Sequence, residues 1–217
     1  MNWEAIGKQA RECHTKQAWE ALFEAHGEAI ATSSNSKPIH EIFKALKADP
    51  QALQYDPRIF GRLIQGCLTS WNLELGREIA EYAKKIPSAS VTIPAAKLYL
   101  EGSTPGLARE AANRALRLTN ITSSERLQLE MLVASSYAEE GKRQKAVRLL
   151  TQIRSSLDDS ALSQKERAEF LANMARMQHF LGRYQAAAQL FYDASKIYRS
   201  LADWEAATRS IFNTAAC

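Results

Sequence analysis

Few side chains in this 217-residue chain are spaced for chemistry. Cys13 and His14 are adjacent, so on a helix they point in different directions and make a poor metal or nucleophile pair. Ser34 and Lys37 show the Ser-x-x-Lys spacing of one class of acyl-transfer nucleophile. They sit in a polar stretch without the companion motifs that chemistry needs. There is no Gly-rich phosphate loop, no Cys-x-x-Cys and no His-Glu-x-x-His. The acid pairs Glu139-Glu140 and Asp158-Asp159 read as solvated charge at helix ends or in loops. Lys142, Arg143, Lys145 and Arg148 form the densest basic cluster, on the outer side of a helix, and would suit an acidic partner surface. The expectation from this inventory is a non-enzyme with no cofactor and no metal.

Composition narrows the class further. Hydrophobic residues make up 46% and charged residues 24%, the balance of a folded globular chain. Only 9 Gly and 6 Pro occur, too few for an all-β chain full of tight turns. No apolar run is long enough to span a membrane. The start, Met1-Asn2-Trp3-Glu4, lacks the basic-then-apolar pattern of a signal peptide. Three scattered cysteines, Cys13, Cys67 and Cys217, suit free thiols in a reducing compartment, so the cytoplasm is expected. The net charge of +4 is uneven: residues 141–217 carry 12 basic and 7 acidic groups. That bias fits an acidic peptide better than nucleic acid, which calls for a stronger basic footprint.

The elements that would position any site are helices. Asp49-Pro50, Asp56-Pro57 and Thr104-Pro105 each put a capping side chain before a proline suited to the first helical position. Thr122–Glu125 and Ser163–Glu166 read as capping boxes, and Asp203 as a further cap. Pro87 should end the helix before it, and Thr32–Lys37 reads as a loop. Helices are predicted near 2–30, 39–48, 57–69, 72–86, 93–101, 105–118, 124–140, 143–155, 164–181, 184–200 and 203–216. The first is either one long helix or a pair broken near Gly27. Trp3, Trp19, Trp71 and Trp204 read as fillers between helices, as do Met131, Met174, Met177, Phe170 and Phe180.

An internal repeat organises the second half. A shift of 41 residues lays Ala134 on Ala175, Gly141 on Gly182, Ala146 on Ala187 and Leu150 on Phe191. A shift of 40 then takes Asn173 to Asn213 and Ala175 to Ala215. Small residues at these places let two helices approach closely, and one pair cannot bury its own apolar face, so pairs must stack. The stretches Phe170–Ala175, Leu181–Ala187 and Phe191–Ala194 resemble the tetratricopeptide repeat family. Ile197–Asp203 is similar to the link in its longer variety of roughly 40 residues. Residues 124–155 match with Glu130 where an aromatic or small apolar residue is usual. Residues 92–118 keep only the second-helix pattern of Ala108, Ala112 and Ala115. The resemblance implies an all-α chain, an α-solenoid in which antiparallel helix pairs wind into a right-handed superhelix. It implies a degenerate helical-repeat region over 1–123 and clear repeats over 124–217. The last pair is incomplete there, as in a piece of a longer protein or a helix that packs on another copy.

The resemblance also implies where a partner would lie. First helices of such stacks line a concave groove, and in peptide-binding relatives an asparagine two places before the packing alanine bonds the peptide backbone. Asn173 and Asn213 hold that place, while Leu132 breaks the ladder in the preceding repeat. Arg176, His179 and Arg209 are expected in the same groove, where arginine offers a carboxylate two parallel bonds. The expected function is therefore a scaffold binding a protein or peptide, as a regulatory or adaptor segment of a larger protein. Pro57–Ile86, with Phe60–Cys67 and Leu75–Ile79, resembles one pentatricopeptide repeat, which leaves single-stranded RNA as the alternative partner.

Overall fold

The computed structural model describes residues 3–158 and 162–216. Asp159 and Cys217 lie outside these, as do Met1, Asn2 and the side chain of Asp158. Within the described residues the chain is helical: α1 (Trp3–Glu12), α2 (Lys16–Ala31), α3 (Lys37–Lys47), α4 (Pro57–Thr69), α5 (Leu73–Ala83), α6 (Ala89–Glu101), α7 (Pro105–Ala115), α8 (Ser123–Glu139), α9 (Arg143–Asp158), α10 (Gln164–Phe180), α11 (Tyr184–Ser200) and α12 (Trp204–Ala215). A short 3-10 turn at Ala52–Gln54 interrupts the series. Sequence neighbours pack as pairs, and the chain divides into two compact units, one up to Thr119 and one from Asn120.

The caps explain most of the boundaries. Both capping boxes form: Thr122 and Ser163 accept from the amides of Glu125 and Glu166, whose carboxylates return to the cap amides. Asp56 accepts from the Arg58 amide at 2.9 Å and Asp203 from the Ala206 amide at 3.1 Å. Three readings need correction. Gly27 lies inside α2, and the break falls at 13–15, where the Thr15 hydroxyl accepts from the Ala18 amide at 3.2 Å. So Cys13 and His14 stand between helices and not on one. No α-helix begins at Pro50, because the Asp49 carboxylate closes a local turn instead. It accepts from the Gln51 amide at 2.9 Å and from the hydroxyl of buried Tyr55. At Thr104 a helix does begin, yet the hydroxyl donates back to the Tyr99 carbonyl at 2.8 Å rather than capping α7.

Five of the hairpins share one turn. Each has three residues, and the middle one is left-handed: Trp71 (φ 55°), Ser103 (φ 54°), Gly141 (φ 73°), Gly182 (φ 75°) and Ala202 (φ 56°). In each, the following amide reaches back five residues to a helix carbonyl: Asn72 to Cys67, Thr104 to Tyr99, Lys142 to Tyr137, Arg183 to Gln178 and Asp203 to Tyr198, at 2.8–3.0 Å. That bond satisfies a carbonyl the helix end would otherwise leave open. Only two of the five carry the glycine that the conformation favours. Trp71 pays for its place in a second way, as its ring is 72% exposed, not the inter-helix filler its type suggested.

Unit 1 is centred on α4, which packs on α2, α3, α5 and α6. Phe60, Leu63, Ile64 and Cys67 are fully buried, and Ile59 nearly so. Burying each such side chain contributes on the order of 1.5–3 kcal/mol. Glycines let the neighbours reach the α4 backbone. Pro94, inside α6, has no amide to offer the Ser90 carbonyl. That carbonyl points at Gly61, where an added methyl group would stand 2.1 Å from its oxygen. At Gly66 the added methyl would meet the Ile30 carbonyl at 2.5 Å. Side chains reinforce the crossing with α2: Arg62 donates to the Phe23 carbonyl at 2.5 Å and Thr69 to the Ala31 carbonyl at 2.9 Å. Tyr82 of α5 joins the same core edge-on to Phe43, ring centres 5.6 Å apart.

Unit 2 realises the repeat read from the sequence. Ala134, Ala146, Ala175, Ala187 and Ala194 are all fully buried at helix crossings, with Leu150 and Phe191 beside them. Met131, Met174 and Phe170 join this core, whereas Phe180 is 63% exposed and lies outside it. Glu130 takes the place that Leu171 holds one repeat later. It is half-buried, and burial pushes its carboxyl above the usual range against the opposing pull of Arg126.

Three stability outcomes follow from these packings. Gly61→Ala is expected to cost unit 1 about 1–3 kcal/mol in urea unfolding, since a backbone carbonyl must move. Gly106→Ala, with open space around it, should be neutral or raise stability by up to about 1 kcal/mol. Ala202→Gly should stabilise unit 2 by about 0.5–1 kcal/mol and Gly182→Ala should cost about 1 kcal/mol; equal midpoints for both would refute the shared turn. A carboxyl raised in the folded state binds its proton more tightly there than when unfolded, so Glu130 lends stability below the ordinary glutamate range and withdraws it as pH rises. Glu130→Gln should therefore unfold at higher urea than the parent at pH 7, with the gap closing as pH falls below about 4.

Candidate functional site

The exposed faces of α10 and α12 carry the residues singled out in the sequence. The Ser163 capping box fixes where α10 starts and the Asp203 cap fixes α12, so the rotational phase of both is set before any partner arrives. Asn173, Arg176 and His179 are three apart, which makes each a neighbour of the next along α10, and all three are exposed. An Arg176 guanidinium nitrogen donates to the Asn173 side-chain carbonyl. His179 meets the edge of the Tyr184 ring across the next turn, centroids 5.2 Å apart and planes at 70°. On α12, Arg209 is exposed and pairs with Glu205 at 2.6 Å, while Asn213 is half-buried.

What links the two helices is a residue of the helix between them. Tyr198 of α11 is buried, and burial raises its phenol. Glu169 and Asp203 raise it further, and Arg176 and Arg209 act in the opposite sense. Two charges from α10, one from the turn before α12 and one from α12 thus bear on this phenol. The sequence reading picked Arg176 and Arg209 and missed Tyr198 and Glu169. A tyrosine in an otherwise apolar stripe was the available signal, because a buried phenol needs a polar neighbourhood. The result is a mixed-charge surface rather than a purely basic one. The preceding repeat offers no counterpart: Leu132 is buried where Asn173 stands, as the sequence implied.

The outer basic cluster is also on the page. Lys142, Arg143, Lys145 and Arg148 are all exposed around the start of α9. Lys142 pairs with Glu140 at 2.7 Å, and the Lys142 and Lys145 ammonium groups lie 5.9 and 5.4 Å from the centre of the Tyr137 ring. Cation–ring contact of this kind offsets part of the cost of placing lysines at the positive end of a helix dipole. The stretch resembling an RNA-reading repeat supplies Phe60, Leu63, Ile64 and Cys67 to the buried centre of unit 1. Cys67 has its thiol pushed up to about 12 by burial. Burial and Glu12 also raise the Cys13 thiol. Among the described residues no three His, Cys, Asp or Glu side chains are placed to hold a metal, and no helix is long and apolar enough to cross a membrane.

No family model matches the chain, and no curated protein matches it. Among solved structures it is similar to a chain in the crystal structure of the APC/C hetero-tetramer Cut9-Hcn1, at 12% identity and a TM-score of 0.34, over 90% of this chain and 46% of that one. The chain therefore spans less than half the length of that solved chain.

Proposed function

We propose that this chain is a protein-interaction scaffold that holds an extended peptide along α10 and α12 of unit 2. The observation that carries the reading is the exposure of Asn173, Arg176 and Arg209 on two helices whose starts are fixed by side-chain caps. Fixed charges of both signs, held by capped helices, suit a ligand whose own charges alternate with backbone groups. Asn173 adds backbone recognition. Its carbonyl is taken by Arg176, so its amide donors are what a peptide carbonyl would meet. Arg176 and Arg209 supply the pairing for an acidic side chain or a terminal carboxylate. In this reading the chain works as a regulatory or adaptor segment of a larger cytoplasmic protein, with residues 1–123 a degenerate part of the same repeat array and 124–217 the binding part.

Selection of displayed random peptides against the 217-residue chain, followed by calorimetry on the best binder, tests this. The selected sequences should carry a carboxylate. Removing both guanidinium groups with Arg176→Ala and Arg209→Ala should weaken binding at least tenfold, the scale of one charge-assisted bond of about 1.5–3 kcal/mol. Asn173→Ala should weaken it by a smaller factor. Affinity that is unchanged in the double variant would sink the groove reading. A single-stranded RNA that binds with a steep salt dependence would favour the alternative partner.

A further inference from the structure

The charge of unit 2 is not spread evenly over its helices. From Lys142 to Arg154 the chain carries five cations and no acid. From Arg183 to Ser200, which includes α11, it carries three cations and one acid, Asp193. The alternate helices α8, α10 and α12 together carry five lysines or arginines and six acids. The positive excess therefore belongs to the second helices of the repeat. Their phase turns it outward. Ala146, Leu150 and Ile153 bury one side of α9, and Lys145 and Arg148 stand exposed on the other. On α11, Gln185, Gln189, Tyr192, Lys196 and Arg199 follow i, i+4, i+7, i+11, i+14 and are all exposed, as one stripe. Asp193 is engaged within the fold: its carboxylate accepts from Arg154 at 3.5 Å and from the Gln189 amide at 3.0 Å. The Arg154 bond also ties α9 to α11, so the two outward faces stand side by side. Among the described residues Lys145, Arg148, Lys196 and Arg199 have no carboxylate partner, and Lys196 lies 4.2 Å from the centre of the Tyr192 ring. Cations at the start of α9 oppose its dipole, so the fold itself has no need of them.

What stands between the cations says what they meet. Among the described side chains of α9 and α11 no aliphatic one is exposed; the apolar surface is Tyr184, 51% exposed, and Tyr192, 47%. A stable protein interface needs an apolar centre, which this face lacks. A nucleic-acid strand is held in a groove that follows its backbone, whereas these cations stand on outward-turned helices. We infer that the outer face of α9 and α11 docks on an anionic lipid bilayer and lies against its headgroups. Such a surface attracts clustered lysine and arginine without asking for a matching shape. Tyrosine suits the same boundary, since its ring partly buries while its hydroxyl stays wet. The face belongs to α9 and α11 and the peptide reading to α10 and α12, so either can fail alone.

Flotation of the 217-residue chain with lipid vesicles tests it, with circular dichroism as the check on folding. The chain should bind phosphatidylcholine vesicles that contain about 30% phosphatidylserine and ignore pure phosphatidylcholine. Binding should fall as salt rises from about 0.05 to about 0.5 M. Lys145→Glu with Arg148→Glu, and separately Lys196→Glu with Arg199→Glu, should each weaken it at least about tenfold. A carboxylate at 145 suits the start of α9, so binding can drop with the fold intact. Lys44→Glu with Lys85→Glu makes the same change of charge on unit 1 and should weaken binding less than about threefold. Absence of binding to the phosphatidylserine vesicles overturns the inference. A loss in the unit 1 variant equal to that in the face variants overturns it as well, since net charge alone would then account for binding. A chain that ignores the vesicles yet retains a single-stranded RNA through Lys145 and Arg148 overturns it in favour of nucleic acid.

Discussion

Close approach of helix backbones is the constraint from which the rest of this molecule follows. At the crossings in unit 2 the residue is alanine, fully buried at 134, 146, 175, 187 and 194. In unit 1 the crossing is tighter still, with glycine 61 against a carbonyl that a proline has released. Larger side chains would hold the helices at the usual 8–10 Å and leave gaps between them that the neighbouring leucines and phenylalanines could not fill. Small residues at the seam and large ones beside it are one device, repeated along the chain.

That device was legible in the sequence because it recurs at a fixed offset. Ala134, Ala146, Ala175, Ala187 and the Gly141/Gly182 turn were read from the shift of 41 residues alone, and the capping boxes at Thr122 and Ser163 gave helix starts to within a residue. What escaped the reading had no local chemical mark. The α1–α2 break rests on one threonine hydroxyl, and Gly27, the residue that looked like a breaker, is there to admit the Arg62 side chain. The α6 helix runs a turn ahead of Pro94, so the proline sits inside it rather than near its start. The exposure of Trp71, Phe180 and Trp204 could not be read from residue type, since an aromatic side chain at helical spacing looks the same whether a neighbour covers it or not.

The candidate surface was legible in part. Asn173 followed from its distance to the packing alanine, with Arg176 and Arg209 expected on the same first-helix face, and the structure exposes all three on α10 and α12. Buried Tyr198, whose phenol is raised by burial, belongs to the helix between, and a reading confined to first helices had no reason to include it. Glu169 and Asp203 stand among the charges near the two arginines, so this surface carries both signs of charge rather than a basic excess.

The five matching turns have a consequence for how this chain can change. Each turn is three residues long and closed by the same backward bond, so its length fixes the phase at which the next helix begins. One inserted residue would rotate everything after it by about 100° and turn a buried face to water. Lengthening is tolerable only in the looser stretches, such as 32–36 and 116–121. Homologous chains should therefore vary in length there and hold the five turns to the residue, even where the turn residue itself differs.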